Sequence, residues 1–120
     1  MIWLLIGSSL ASTLTVTSGT SIQTTINLAS SGDTIEIETG TYSECLSFGG
    51  KDLSFVGIGS VSINGTGCSA TATVSGSESI SFSELSMSNS NGLAVEADSI
   101  TSTVSLDGVT ISNSGYTSMG

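Results

Sequence analysis

ISFSELSMSNSNG (residues 80–92) and VSLDGVTISNSGY (residues 104–116) are two copies of one pattern. Ile80, Phe82, Leu85, Met87 and Asn89 fall on Val104, Leu106, Val109, Ile111 and Asn113, all at an offset of 24. Polar Ser81, Ser86, Ser88 and Ser90 fall on Ser105, Thr110, Ser112 and Ser114. With 27 Ser and 16 Thr in the chain, hydroxyl matches arise easily, so the apolar and Asn positions carry the argument. Further back, Leu53, Phe55 and Ile58 match Ile80, Phe82 and Leu85 at an offset of 27.

A unit of this length, built of short stretches with two-residue alternation and no helix, suits a parallel β-solenoid whose coils stack about 4.8 Å apart. Thr34–Ile37, Cys45–Phe48, Leu53–Val56 and Val61–Ile63 read as earlier strands of the same kind. The expected fold is therefore all-β, a right-handed parallel β-helix with Val, Ile, Leu and Phe turned inward. The rival is an antiparallel β-sandwich, for which Asn64-Gly65 and Asn91-Gly92 are candidate tight hairpins. Ahead of the coils, Thr13–Thr17 alternates as a strand. SIQTTINLASSGD follows, with Ile22, Ile26 and Ala29 at helical spacing, Ser21 as a cap and Gly32 as a stop, and predicts a short capping helix. Residues 12–32 then form an amino-terminal cap and residues 33–120 the coils. Gly115 to Gly120 carry no capping signal, so the coils are expected to be truncated there and to meet a continuation of their own chain or an end-to-end partner.

Charge removes whole classes of function. Ten acids face one base, Lys51, without Arg or His, for a net charge of -9. A nucleic-acid binder needs the opposite balance. A Ser-His-Asp triad, a Cys-His dyad and a His-ligated metal site are excluded by the missing His. No cofactor, metal or catalytic residue is expected within these residues. Met1 to Ala11 reads as a short secretory signal, with an apolar block from Ile2 to Ile6 and small Ser9 and Ala11 before a cleavage point. A first strand is the alternative reading. No segment reaches the roughly 20 apolar residues a membrane-spanning helix needs, so no membrane span is expected.

Four motifs then fall in order: Gly32-Asp33, Gly40-Thr41-Tyr42-Ser43-Glu44, Lys51-Asp52-Leu53 and Gly57-Ile58-Gly59. This succession resembles the amino-terminal cap and first coils of the pectin-lyase-like right-handed parallel β-helix superfamily. Thr39 stands where that superfamily usually has Pro before the Gly-Thr-Tyr turn. The resemblance implies the β-helix fold. It does not imply one activity, because the superfamily holds lyases, hydrolases, esterases, adhesins and surface proteins.

Cys45 and Cys68 lie 23 residues apart, close to one coil, and stacking would bring their α-carbons within disulfide range; two free thiols are the other reading. Asn64, Asn89 and Asn113 recur near one coil position and are candidates for a structural ladder of stacked amides. Asn64-Gly65-Thr66 is also a glycosylation sequon. Glu36, Glu38, Glu44, Glu78, Glu84, Glu96, Asp98 and Asp107 are expected to be mostly solvated, outward-facing acids. These readings combine into a secreted or cell-surface, non-enzymatic rod for adhesion or contact with a polysaccharide or cell-surface glycan. The alternatives are the leading part of a polysaccharide lyase or glycoside hydrolase with its site beyond residue 120, and an ice-binding solenoid. Against the last, the Thr-x-Thr pairs from Thr13 onward do not share one coil position.

Overall fold

Alternating apolar residues in short, Gly-punctuated runs give each run one apolar face to bury, and a stack of like runs can enclose those faces in a common lumen. The computed structural model, which describes residues 11–116 with side chains as far as residue 112, is built in that way. Nine strands are β1 (Thr13–Val16), β2 (Thr34–Ser43), β3 (Leu46–Ser47), β4 (Leu53–Asn64), β5 (Ala70–Val74), β6 (Ser79–Ser83), β7 (Ser86–Ala97), β8 (Thr103–Asp107) and β9 (Thr110–Tyr116). One helix, α1 (Ile22–Leu28), lies between β1 and β2. All the strand pairings among the described residues are parallel, so the fold is a β-solenoid and the antiparallel sandwich falls away. Asn64-Gly65 and Asn91-Gly92 are coil corners instead of hairpins: the first closes β4 and the second lies inside β7.

Three faces run along the rod. The first stacks β1, the start of β2, the start of β4, β6 and β8, so that Thr13, Thr34, Ser54, Ser81 and Ser105 share one row. The second stacks the end of β2, the end of β4, the start of β7 and β9, with Thr41, Ser62, Ser86 and Thr110 in one row. The third stacks β3, β5 and the end of β7, with Leu46, Ala72 and Val95 in register.

The offset of 27 is a real pairing on the first face, Leu53 with Ile80 and Phe55 with Phe82, and the offset of 24 recurs as Ile80 with Val104. Ile58 breaks the match. It is 47% exposed, whereas Leu85 is buried. On the second face the offset between β4 and β7 is 24, Ser62 with Ser86, which puts Val61 below Leu85. The three residues gained at the corner are looped outward, where Thr39 Oγ1 donates to the Ile58 carbonyl and accepts the Ser60 N–H.

Inside, Phe48, Phe55 and Phe82 are fully buried and form one cluster. Phe55 and Phe82 stack with centroids 5.1 Å apart, close to the rung spacing, and Phe48 tilts against Phe55 at 5.5 Å. Such ring pairs add about 0.5–1.5 kcal/mol to area burial. Each rung is covered by the next: Ile80, Phe82, Leu85 and Met87 are buried, while Val104, Leu106, Val109 and Ile111 in the last described rung are partly buried.

Helix α1 is shorter than the sequence pattern suggests, because Ala29 leaves helical geometry at ψ 157° well before Gly32. The coil beside it holds both ends. At the amino end the Ser21 hydroxyl accepts the Thr24 N–H, and the Glu44 carboxylate accepts the Ile22 and Gln23 N–H groups and the Ser21 hydroxyl. At the carboxyl end Lys51 Nζ donates to the Ile26 carbonyl at 2.7 Å and to that of Asn27. Both charges oppose the helix dipole's partial charges.

Candidate functional site

Several acids turn out to be fasteners. Glu78 is 4% exposed and accepts the Gly50 N–H at 2.6 Å and the Ser75 N–H at 2.9 Å, joining two successive corners. Asp33 is buried and accepts the N–H groups of Ser12 and Ser30, both at 2.8 Å. Those two donors hold its carboxyl below the usual aspartate value. With Glu44 committed to α1 and Asp52 accepting the Ser79 N–H, four carboxylates are bound to backbone. Burial, then the carboxylates of Glu38 and Glu44, raise the Tyr42 phenol above its usual 10, so it stays a donor, to the Glu38 carbonyl at 2.7 Å.

Cys45 and Cys68 form a disulfide, with α-carbons 6.4 Å apart. Cys45 lies between Glu44 and Leu46, so the bridge ties the seat of α1 to the coil above.

The three asparagines do not share a row. Asn64 pairs with Ser88, while a register shift after Ser88 pairs Asn89 with Ser114. Asn64 is half-buried at a corner; Asn89 is fully buried, donating to the carbonyls of Cys68 and Leu93 and accepting the Asn91 N–H. Asn64 lies 25 residues before Asn89 on faces in register at 24, so alternation turns one amide outward and the next inward and the two do not stack as a ladder. The side chain of Asn113 lies outside the described residues, as does most of the segment read as a secretory signal.

Two concavities carry hydroxyl and carboxylate side chains. A cleft of about 330 Å³ beside α1 is lined by Gly19, Thr20, Ser21 and Thr41 to Glu44, but the Glu44 carboxylate and the Tyr42 hydroxyl in it are already paired. A groove of about 190 Å³ on the first face is different. Its wall is the hydroxyl row Ser54, Ser81 and Ser105, with Ser79 and Asp52 at one end and Gly32 at its edge. The strand pairing fixes the row: inward Leu53, Phe55, Ile80 and Phe82 pin the backbone, and the alternating period turns the serines out. Asp52 Oδ1 accepts the Ser79 N–H at 2.9 Å, and Oδ2 makes no hydrogen bond within the described residues. Sequence reading missed this groove, since it joins residues 27 and 24 apart whose alignment rested on their apolar neighbours.

Compared with known proteins, the chain matches no family model, no curated protein and no solved structure. Among the described residues no helix is long and apolar enough to cross a membrane.

Proposed function

We propose that this chain is a rigid, non-enzymatic segment of a secreted or cell-surface protein, and that its first face contacts a neutral glycan. The observation that carries this reading is the groove of Ser54, Ser81 and Ser105 beside Asp52, whose hydroxyls have no partner within the described protein. Short hydroxyls on a rigid sheet donate and accept with little side-chain ordering on binding, which suits a polyhydroxyl ligand. Charge narrows the ligand. The single cation, Lys51, is spent on α1 and the net charge is -9, so acidic polysaccharides are repelled. The disulfide and the leader-like first residues support export, and the likeness of the Gly-Thr-Tyr-x-Glu turn region to the pectin-lyase-like superfamily supports a polysaccharide setting.

Affinity electrophoresis through neutral and acidic polysaccharides tests the reading. Neutral glycan should retard the protein and polygalacturonate should not. The combined change Ser54→Ala, Ser81→Ala and Ser105→Ala should weaken retardation about tenfold or more, from three hydrogen bonds of modest worth. Unchanged migration in every neutral glycan, or equal retardation of the triple variant, would overturn it.

Ice binding is favoured by one observation: on the second face Thr41 and Ser43, Ser62 and Asn64, Ser86 and Ser88, and Thr110 and Ser112 form a regular two-row grid. Thermal hysteresis at micromolar protein would establish it, and its absence would remove it.

A further inference from the structure

The sequon Asn64-Gly65-Thr66 is left unused by the groove. It sits at the corner between the second and third faces, where β4 has just ended. Asn64 Oδ1 accepts two bonds from its own sequon, the Thr66 N–H at 2.9 Å and the Thr66 hydroxyl at 2.6 Å. Its carbonyl end is thereby turned back onto the corner. The Nδ2 end has no partner in the described protein and points away from that bond pair. Thr66 in turn is fixed by the rung above, its Oγ1 accepting the Ser90 N–H at 3.1 Å. The neighbours of Asn64 along its row are Ser43 and Ser88, both small, so an attached group meets no bulky side chain on either adjacent rung. The other amide corner lacks these properties: Asn89 is fully buried, and its Nδ2 is held by two carbonyls.

From this geometry we propose that Asn64 is an acceptor for N-linked glycan. In the transfer, Asn64 Nδ2 attacks the anomeric carbon of a lipid-pyrophosphate-linked oligosaccharide. A C–N bond forms, the bond from that carbon to the pyrophosphate oxygen breaks, the lipid pyrophosphate leaves with the electron pair, and one amide proton passes to the transferase's base. The product keeps Oδ1 and both of its bonds from Thr66. The glycan would stand over the second face and leave the first-face groove open. This inference rests on the export proposed above, and the experiment separates the two.

The full 120-residue chain is expressed in a eukaryotic secretory host, once with its own first residues and once behind the host's leader. The expected result is a discrete gain in mass on the second protein, removed by peptide N-glycosidase, with conversion of Asn64 to Asp in the tryptic peptide. Asn64→Gln and Thr66→Ala should each abolish the gain, and Thr66→Ser should retain it. Glycan on the leader-assisted protein, with the chain's own version retained in the cell, would uphold the acceptor site and overturn export. Secreted, disulfide-bonded protein carrying unmodified Asn64 from both versions would overturn the proposal.

Discussion

Replacing Glu78 by Ala removes one carboxylate that serves two corners at once. In the folded chain it accepts from Gly50 at 2.6 Å and from Ser75 at 2.9 Å, and it is 4% exposed. Hydrogen bonds to a charged acceptor are worth about 1.5–3 kcal/mol each. Gly50 and Ser75 lie at exposed corners, so water recovers part of the loss and the low end applies to both. The sum is about 3 kcal/mol, equivalent to roughly 10–15 °C in Tm for a domain of this size. Glu78→Gln, which leaves one oxygen to accept and sets an NH2 against the other donor, should fall between the parent and Ala. The assay is urea unfolding followed by far-ultraviolet circular dichroism with the disulfide intact. Asp98→Ala is the control: its side chain is exposed and makes no hydrogen bond within the described protein, so its effect should stay within about 0.5 kcal/mol. If Glu78→Ala costs no more than Asp98→Ala, the carboxylate is merely solvated and the fastening role is wrong.

Opening the Cys45–Cys68 bridge, which closes a span of 23 residues, should lower stability by about 3.5 kcal/mol on chain-entropy grounds. Comparing urea midpoints with and without reductant measures this, and identical midpoints would contradict it. Asp33, whose folded carboxyl titrates below the usual 3.8, stabilises the fold fully above that value and loses the contribution as pH falls through its lower folded value. Asp33→Asn should therefore be less stable at neutral pH and flatter in stability below about pH 4; an unchanged acid slope in urea midpoints would refute the linkage. Gly57→Ala would drive a methyl into the Glu84 carbonyl of the rung above and should destabilise by more than about 2 kcal/mol. Gly49→Ala, at φ +62° with open space around it, should cost only about 1–2 kcal/mol. Equal thermal shifts for the pair would refute the close-approach argument.

The stacking of coils was legible because inward positions obey two demands together, apolarity and fixed register. Leu53, Phe55, Ile80, Phe82, Val104 and Leu106 satisfy both, and their spacing is the pairing found. Ile58 deceived because an apolar residue on an outward loop looks like one facing the lumen when only spacing is read. Asn89 and Asn113 misled through one bulged residue in β9, which no side-chain pattern announces, whereas Asn64 lies 25 residues before Asn89 and so one step off the 24-residue register. Glu44 and Glu78 were misjudged for another reason. Whether a carboxylate meets water or a neighbouring coil's N–H depends on which corner lies above it, and corners of unequal length hide that until the rungs are stacked. Still, Asp33 beside Gly32 and Glu78 after a Gly-Ser step held a clue, since bends leave backbone donors unpaired.

The side chain of Gln23 has a role that belongs to main chain. Its amide donates to the Ser47 carbonyl and accepts the Ser47 N–H, both at 2.9 Å. A primary amide in that position is a counterfeit peptide group. It answers the two valences that β3 would otherwise offer to any passing extended segment. The rod is thereby chemically asymmetric: at β3 its terminus is sealed by a forged bond pair and cannot recruit a strand, so accretion of foreign β-structure on the third face must begin elsewhere.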